Sequence, residues 1–228
     1  MKIGIIILAR TDFGRWPDKI LFQLRGRPIF EWVIIKAKLL GIPVIVSTTE
    51  NIEDQIIVDT AERLGVIISY GNPDDRNERF AQAIIENKLE YFLSISPACP
   101  FFDVEYTGKV INAIKENPGY NYYNIGRDTS AVPHAFKTQP IIDNLDNKDR
   151  DQEIIINPKA LKTAGYHLYE WWDGELKNRY LFDYNIAFKI QAETHKAICD
   201  YLGRFPLDYE DLRTALLEMD YSFTRGKK

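Results

Sequence analysis

Cysteine, histidine and methionine are scarce in this 228-residue chain: two Cys, three His and two Met. Cys99 and Cys199 form neither a disulfide framework nor a zinc spacing, which points to a reducing compartment. Long apolar runs are missing too. The opening run, Ile3 to Ala9, is far short of a membrane span and carries no cleavage site, so the expected setting is cytoplasmic, without a membrane partner. Basic excess is also absent: 29 Lys and Arg against 33 Asp and Glu give a net charge of -4, which removes the electrostatic footprint of a nucleic-acid binder. The terminal Arg225-Gly226-Lys227-Lys228 is too short to alter that and reads as a solvated tail. With 45% apolar and 27% charged residues, the composition is that of a folded chain.

What is present is an alternation of strand and helix patterns. Ile3 to Leu8 reads as a fully buried parallel strand, and Val44 to Ser47, Val66 to Tyr70 and Tyr91 to Ser96 as its companions. Between them lie helical patterns over Pro28 to Leu40, Glu53 to Leu64 and Arg76 to Asn87, with another over Val104 to Lys115. Repeated β-α units of this length predict an α/β fold, a mostly parallel sheet with helices on both faces. The pattern changes near Gly119. Tyr120 to Asn124 reads as a strand, residues 126–140 as a strand or hairpin, and Asp143 to Asp151 as a polar turn. Short helices are expected at Pro158 to Gly165, Asn185 to Thr194 and Tyr209 to Met219, with a short apolar strand at Ala197 to Leu202. The whole is read as one domain, 1–228, with 120–196 as an acceptor-side or dimerisation excursion.

Chemistry concentrates directly after the first strand, where Arg10, Arg15 and Lys19 fall within ten residues. Open α/β sheets bind ligands beyond the carboxyl ends of their strands, and three cations held there call for an anion, of which a nucleoside triphosphate is the obvious choice. At the other end of the chain, Asp208 follows an apolar stretch and precedes a helical pattern. It serves either as that helix's N-cap or as a carboxylate for a divalent metal, which needs only one or two protein carboxylates when it is magnesium.

Several stretches then match one family. Ala9, Arg10, Arg15, Pro17 and Lys19 stand at the fixed positions of A-R-x-x-S-x-R-L-P-x-K, and Lys19 to Ile29 resembles K-x-L-x-x-L-x-G-K-P-x. Val46 to Asn51, Gly71 to Asp75 and Glu78-Arg79-Phe80 also line up, and Leu207-Asp208-Tyr209-Glu210-Asp211-Leu212 resembles V-D-T-P-E-D-L. Over roughly residues 1–115 and 198–216 the chain resembles the cytidylyltransferases that activate acidic sugars as CMP conjugates, the spore-coat polysaccharide type in particular. The resemblance implies a Rossmann-like nucleotidyltransferase fold, CTP, Mg2+ and a homodimer. It assigns Arg10, Arg15 and Lys19 to the triphosphate, the backbone of Leu8 and Ala9 to the cytosine, Arg79 to the nucleotide pocket and Asp208 to the metal. It also places Arg127, His134 and Lys137 in the segment that reads the sugar, where a cation would suit an acceptor carboxylate.

Four positions depart from the family pattern. Ala98, in Pro97-Ala98-Cys99-Pro100, replaces a metal-binding Asp, and Ser94 stands where an Arg is usual. Phe13 replaces the loop serine, and Asp18 adds a negative charge among the cations. Two readings therefore stand: transfer of CMP from CTP to a sugar acid with release of pyrophosphate, in surface-polysaccharide synthesis, or a catalytically impaired member that binds nucleotide or sugar as a partner or regulator. A glycosyltransferase would use an Asp-x-Asp after a strand, whereas Asp149-Arg150-Asp151 lies in the polar turn.

Overall fold

A computed structural model describes residues 1–12, 19–143, apart from 125–132, and also 145, 168–170, 196, 199–205 and 207. Its centre is β1 (Ile3–Leu8), buried along its whole length. The six apolar residues are mostly β-branched, a composition that packs well when both faces of a strand are covered. β1 pairs in parallel with β4 (Val44–Thr48) on one side and β6 (Tyr91–Ser94) on the other, and β4 pairs in parallel with β5 (Ile67–Tyr70). Beyond β6 the sheet continues through β8 (His134–Lys137), β7 (Tyr122–Asn124) and β9 (Leu168–Glu170), in the order β5-β4-β1-β6-β8-β7-β9. Only β8 runs against the others. A separate hairpin joins β2 (Gln23–Leu24) to β3 (Arg27–Pro28). Its two-residue turn has Arg25 at φ 48° and Gly26 at φ 75°, the double positive φ that matches strand twist.

Strand alternation sorts the core into two layers. Ile3, Ile5 and Ile7 point to the face covered by α1 (Ile29–Lys38), α2 (Gln55–Arg63) and α4 (Val104–Glu116). Ile6 and Leu8 point to the face covered by α3 (Arg76–Asn87) and α5 (Gln139–Asp143). The expectation of a mostly parallel, doubly covered sheet therefore holds. After β1 the chain crosses to β4 and β5, then returns past β1 to β6, so the strand order reverses between β1 and β6. A crevice opens at such a reversal, at the carboxyl ends of the strands.

Local details differ from the sequence reading, the strand β9 among them. The hairpin β2–β3 and the short α5 were not expected, and the helix expected from Glu53 begins with a 3-10 turn, Ile52–Asp54. Residues 199–202, expected as part of a strand, are helical. Cys199 is buried and Leu202 half-buried one helical turn on, whereas Asp200 and Tyr201 are exposed, and in so short an apolar run the helical and strand periods are hard to tell apart. The helices expected at 158–165, 185–194 and 209–219 lie outside the described residues. No helix among the described residues is long and apolar enough to cross a membrane.

An ion pair with a buried carboxylate and half-exposed arginines ties α1 to α2. Glu31 accepts two bonds from the Arg63 guanidinium, at 2.7 and 3.1 Å, and a further one from Arg27. The Arg63 bond, then the Arg27 bond, hold the Glu31 carboxyl below its ordinary value near 4.5. A carboxylate whose pKa is depressed by folding adds stability above the unfolded value and loses it as pH falls through the folded one. Glu31→Gln is therefore expected to flatten the acid limb of a plot of Tm against pH below about 4.5, leaving the curve above neutrality parallel to the parent's.

Candidate functional site

The carboxyl end of β1 delivers Leu8, Ala9 and Arg10 to the crevice. Leu8 pairs with Ser47, and the Ala9 amide donates to the Ser47 carbonyl at 2.9 Å, so the backbone is fixed to the last turn of the strand. The side chains of Leu8 and Ala9 are buried, which leaves backbone groups as what these residues can offer a ligand. The Arg10 guanidinium donates to the Pro73 carbonyl and lies 3.8 Å from the Asp12 carboxylate. Lys19 opens the 3-10 turn Lys19–Leu21. Arg15 lies outside the described residues, as do Phe13 and Asp18.

The second wall is the loop between β5 and α3. Asp75 caps α3, accepting from the amides of Asn77 at 2.9 Å and Glu78 at 3.0 Å. Such a cap satisfies two amides that a helix start leaves without partners. One turn in, Arg79 folds back over the loop and donates to the carbonyls of Asn72 at 2.8 Å and Pro73 at 2.7 Å. Gly71 makes this possible. A Cβ there would sit 2.9 Å from Arg79 Cγ and 3.1 Å from its Cα, so any larger residue would push α3 away from the strand end.

Arg10 and Arg79 thus converge on one carbonyl, with Arg76 close by, and Arg79 is only 4% exposed. Burial, then the charges of Arg10 and Arg76, push the Arg79 guanidinium down to about 10, partly offset by Asp54 and Asp75. Burial lowers Arg76 as well. Arg79 remains a cation at neutral pH, held where water screens it poorly. Among the described residues, the buried side-chain polar atoms without a hydrogen-bond partner are Arg76 Nε, Arg79 Nε, Asn77 Oδ1 and Thr48 Oγ1. Thr48 ends β4 and the other three lie in the first turn of α3, so this corner of the sheet combines crowded arginines with unmade hydrogen bonds. Arg76 and Asn77 were missed by the sequence reading. They sit in the stretch that carries Arg79, but only the fold shows that their polar atoms are buried without partners.

On the other side of the crevice, β8 places His134 opposite Ser94 at the carboxyl end of β6. The Tyr122 hydroxyl meets His134 Nδ1, and the two rings stack at 5.5 Å. Lys137, expected in the same sugar-reading group, stands at the other end of β8. Because β8 is antiparallel to β6, Lys137 pairs with Tyr91 at the amino end, about 10 Å along the strand from His134. Arg127 lies outside the described residues.

The residues described here do not fit a metal held by two carboxylates. Ala98, where the family pattern has an Asp, is a methyl group 2% exposed and packed into the core. Asp103, nearby in sequence, is buried and caps α4, accepting from the Tyr106 amide at 2.9 Å. No group of three or more His, Cys, Asp or Glu side chains able to hold a metal occurs among the described residues, and Asp208 lies outside them.

Comparison with known proteins places this geometry. A solved structure of a cytidylyltransferase from Leptospira borgpetersenii superposes with a TM-score of 0.81 at 19% identity, covering 100% of this chain and 98% of that one. A CMP:2-keto-3-deoxy-manno-octonic acid synthetase solved in complex with CTP has a TM-score of 0.60 at 13% identity, covering 76% of this chain and 91% of that one. By sequence, a 3-deoxy-manno-octulosonate cytidylyltransferase from Colwellia psychrerythraea is 24% identical over 174 residues, 72% of this chain and 55% of that protein. The match thus spans little more than half the length of that relative. A sequence model of the family described as Cytidylyltransferase matches residues 4–212, nearly the whole chain, and the protein therefore belongs to the cytidylyltransferase family.

Proposed function

We propose that the protein is a CTP-dependent nucleotidyltransferase that transfers CMP to a sugar acid and releases pyrophosphate. The observation that carries this reading is the corner formed by Arg10, Arg76, Arg79 and Asn77, a set of donors, acceptors and crowded cations at the carboxyl ends of β1 and β4 and the start of α3. A pyrimidine edge with both carbonyl and amino groups, joined to an anionic phosphate chain, complements such a set. In this reading the backbone of Leu8 and Ala9 meets the cytosine. Arg10, Arg15 and Lys19 hold the triphosphate, where cations stabilise charge developing on the leaving pyrophosphate. His134, beside Ser94 at the acceptor side, meets the sugar acid, the substrate class of the named relatives. Magnesium enters with the triphosphate, with Asp208 as the protein carboxylate assigned to it. A homodimer, a cytoplasmic setting and a place in surface-polysaccharide synthesis complete the proposal.

One observation favours a second reading, a nucleotide binder without turnover: the buried methyl of Ala98 where a ligand carboxylate is usual. Calorimetric titration of CTP, with and without magnesium and beside ATP, GTP and UTP, tests both. CTP is expected to bind at least about tenfold more tightly than the other three, a difference of about 1.4 kcal/mol. Pyrophosphate release on adding sugar acids then selects the transferase, whereas CTP binding without release selects the second reading. No binding of any triphosphate would overturn both.

A further inference from the structure

The carboxylate of Asp54 is 2% exposed at the end of the 3-10 turn that precedes α2. It accepts three hydrogen bonds, all from neutral donors. Oδ1 takes the Thr11 amide at 2.7 Å and the Thr11 hydroxyl at 2.8 Å, and Oδ2 takes the Thr49 hydroxyl at 2.5 Å. Burying a carboxylate is costly, and α2 gains no cap from it, because the Asp54 side chain bonds to no amide of that helix. The bonds lead elsewhere. Thr11 directly follows Arg10 and stands where the cationic segment leaves β1, 43 residues away in sequence. The same carboxylate is also one of the two acidic groups whose charge offsets the crowding of arginines around Arg79.

We propose that Asp54 is a positioning residue for the nucleotide site: it pins the start of the phosphate-binding segment through Thr11. The inference rests on the CTP reading above. Its physical content is preorganisation. A segment that begins at a fixed point, with its first arginine aimed into the crevice, pays less ordering entropy when the triphosphate arrives.

Asp54→Asn keeps the shape of the side chain and an acceptor for Thr11 but removes the charge. Thr11→Val removes one bond on Oδ1, and Thr49→Val removes the bond on Oδ2. All three purified variants are titrated with CTP well below their Tm values. Asp54→Asn, which turns the two charge-assisted bonds from Thr11 into neutral ones, and Thr11→Val, which removes one of them, are each expected to weaken CTP binding about threefold or more. Thr49→Val is expected to lower Tm comparably to Thr11→Val while holding CTP affinity within about twofold of the parent. A purely structural role for Asp54 predicts the opposite pattern: Tm falls in all three and affinity moves in none, which would overturn the proposal. If Asp54→Asn fails to fold, the contrast between Thr11→Val and Thr49→Val decides alone, and equal affinities in that pair overturn it. Failure of the CTP reading is separate, because it shows as a parent protein that does not bind CTP, and it removes the positioning role as well.

Discussion

Replacing Arg79 with Met should weaken CTP binding about ten- to a hundredfold, the range expected when one or two charge-assisted contacts worth about 1.5–3 kcal/mol are lost. The effect is large because of where the charge sits. Arg79 is buried among Arg10 and Arg76, so its field is poorly screened and its charge incompletely neutralised in the free protein. An anion arriving there meets cations that have already been stripped of water and aimed by the carbonyls of Asn72 and Pro73. Stability should change little. The variant loses bonds to those two carbonyls, but the Pro73 carbonyl keeps Arg10, and a buried charge under repulsion is removed at the same time. Met retains the Cγ that packs against Gly71. Thermal unfolding should therefore shift by no more than about 4 °C, or about 1–2 kcal/mol for a chain of this size. Arg79→Lys, which keeps the charge but not the planar fork, should fall between the parent and Met. Unchanged CTP affinity in Arg79→Met would remove Arg79 from the site.

The sequence was legible where one force dominates. β1, β4 and β6 are short, apolar and almost wholly buried and lie between helical periods, so burial fixes strand and neighbours together; these three and the edge strand β5 all occur as expected. The helices α3 and α4 were equally clear, since their apolar residues recur at helical spacing and face the core. Legibility failed where the outcome depends on contacts distant in sequence. The turn at Arg25-Gly26 requires positive φ at both residues, which Gly invites and Arg does not, so the hairpin left only half a signal. The helical form of residues 199–202 is set by packing of Cys199 and Leu202 against the core rather than by its own short pattern. The site shows the same division. Arg10 and Arg79 were visible as residues in recognisable stretches, but Asp54 and Thr11 form one unit only because β4 lies beside β1. His134 and Lys137 show the same limit: proximity in the chain does not tell which end of an antiparallel strand each one occupies.

The second large effect concerns the chain that leads to Asp208. Phe205 is buried, its ring stacked on Trp32 at 4.0 Å with planes 2° apart and tilted against Phe101 at 5.4 Å. Trp32 is in turn held by a 2.8 Å bond from its indole N–H to the Leu24 carbonyl, and Arg25 of the same hairpin lies 3.8 Å from Asp200. The C-terminal stretch is thereby clamped between the β2–β3 hairpin and the residues that follow β6. Phe205→Ala should cost about 3–5 kcal/mol, the usual loss when a buried aromatic is truncated, and lower Tm by about 6 °C or more. Phe205→Leu, which refills much of the volume, should recover most of it. The consequence for function follows from connectivity. Asp208 comes three residues after Phe205, a span of at most about 11 Å, so the clamp decides where the chain carrying that carboxylate starts. In the proposed reading Asp208 is the carboxylate assigned to magnesium and Ala98 supplies none, so misplacing its segment has no second carboxylate there to absorb it. Pyrophosphate release by Phe205→Ala, assayed at a temperature where the variant is fully folded, is accordingly expected to fall about tenfold or more, while CTP binding through Arg10 and Arg79 stays near the parent value. Intact turnover in a folded Phe205→Ala protein would show that the clamp stabilises the chain without positioning its chemistry.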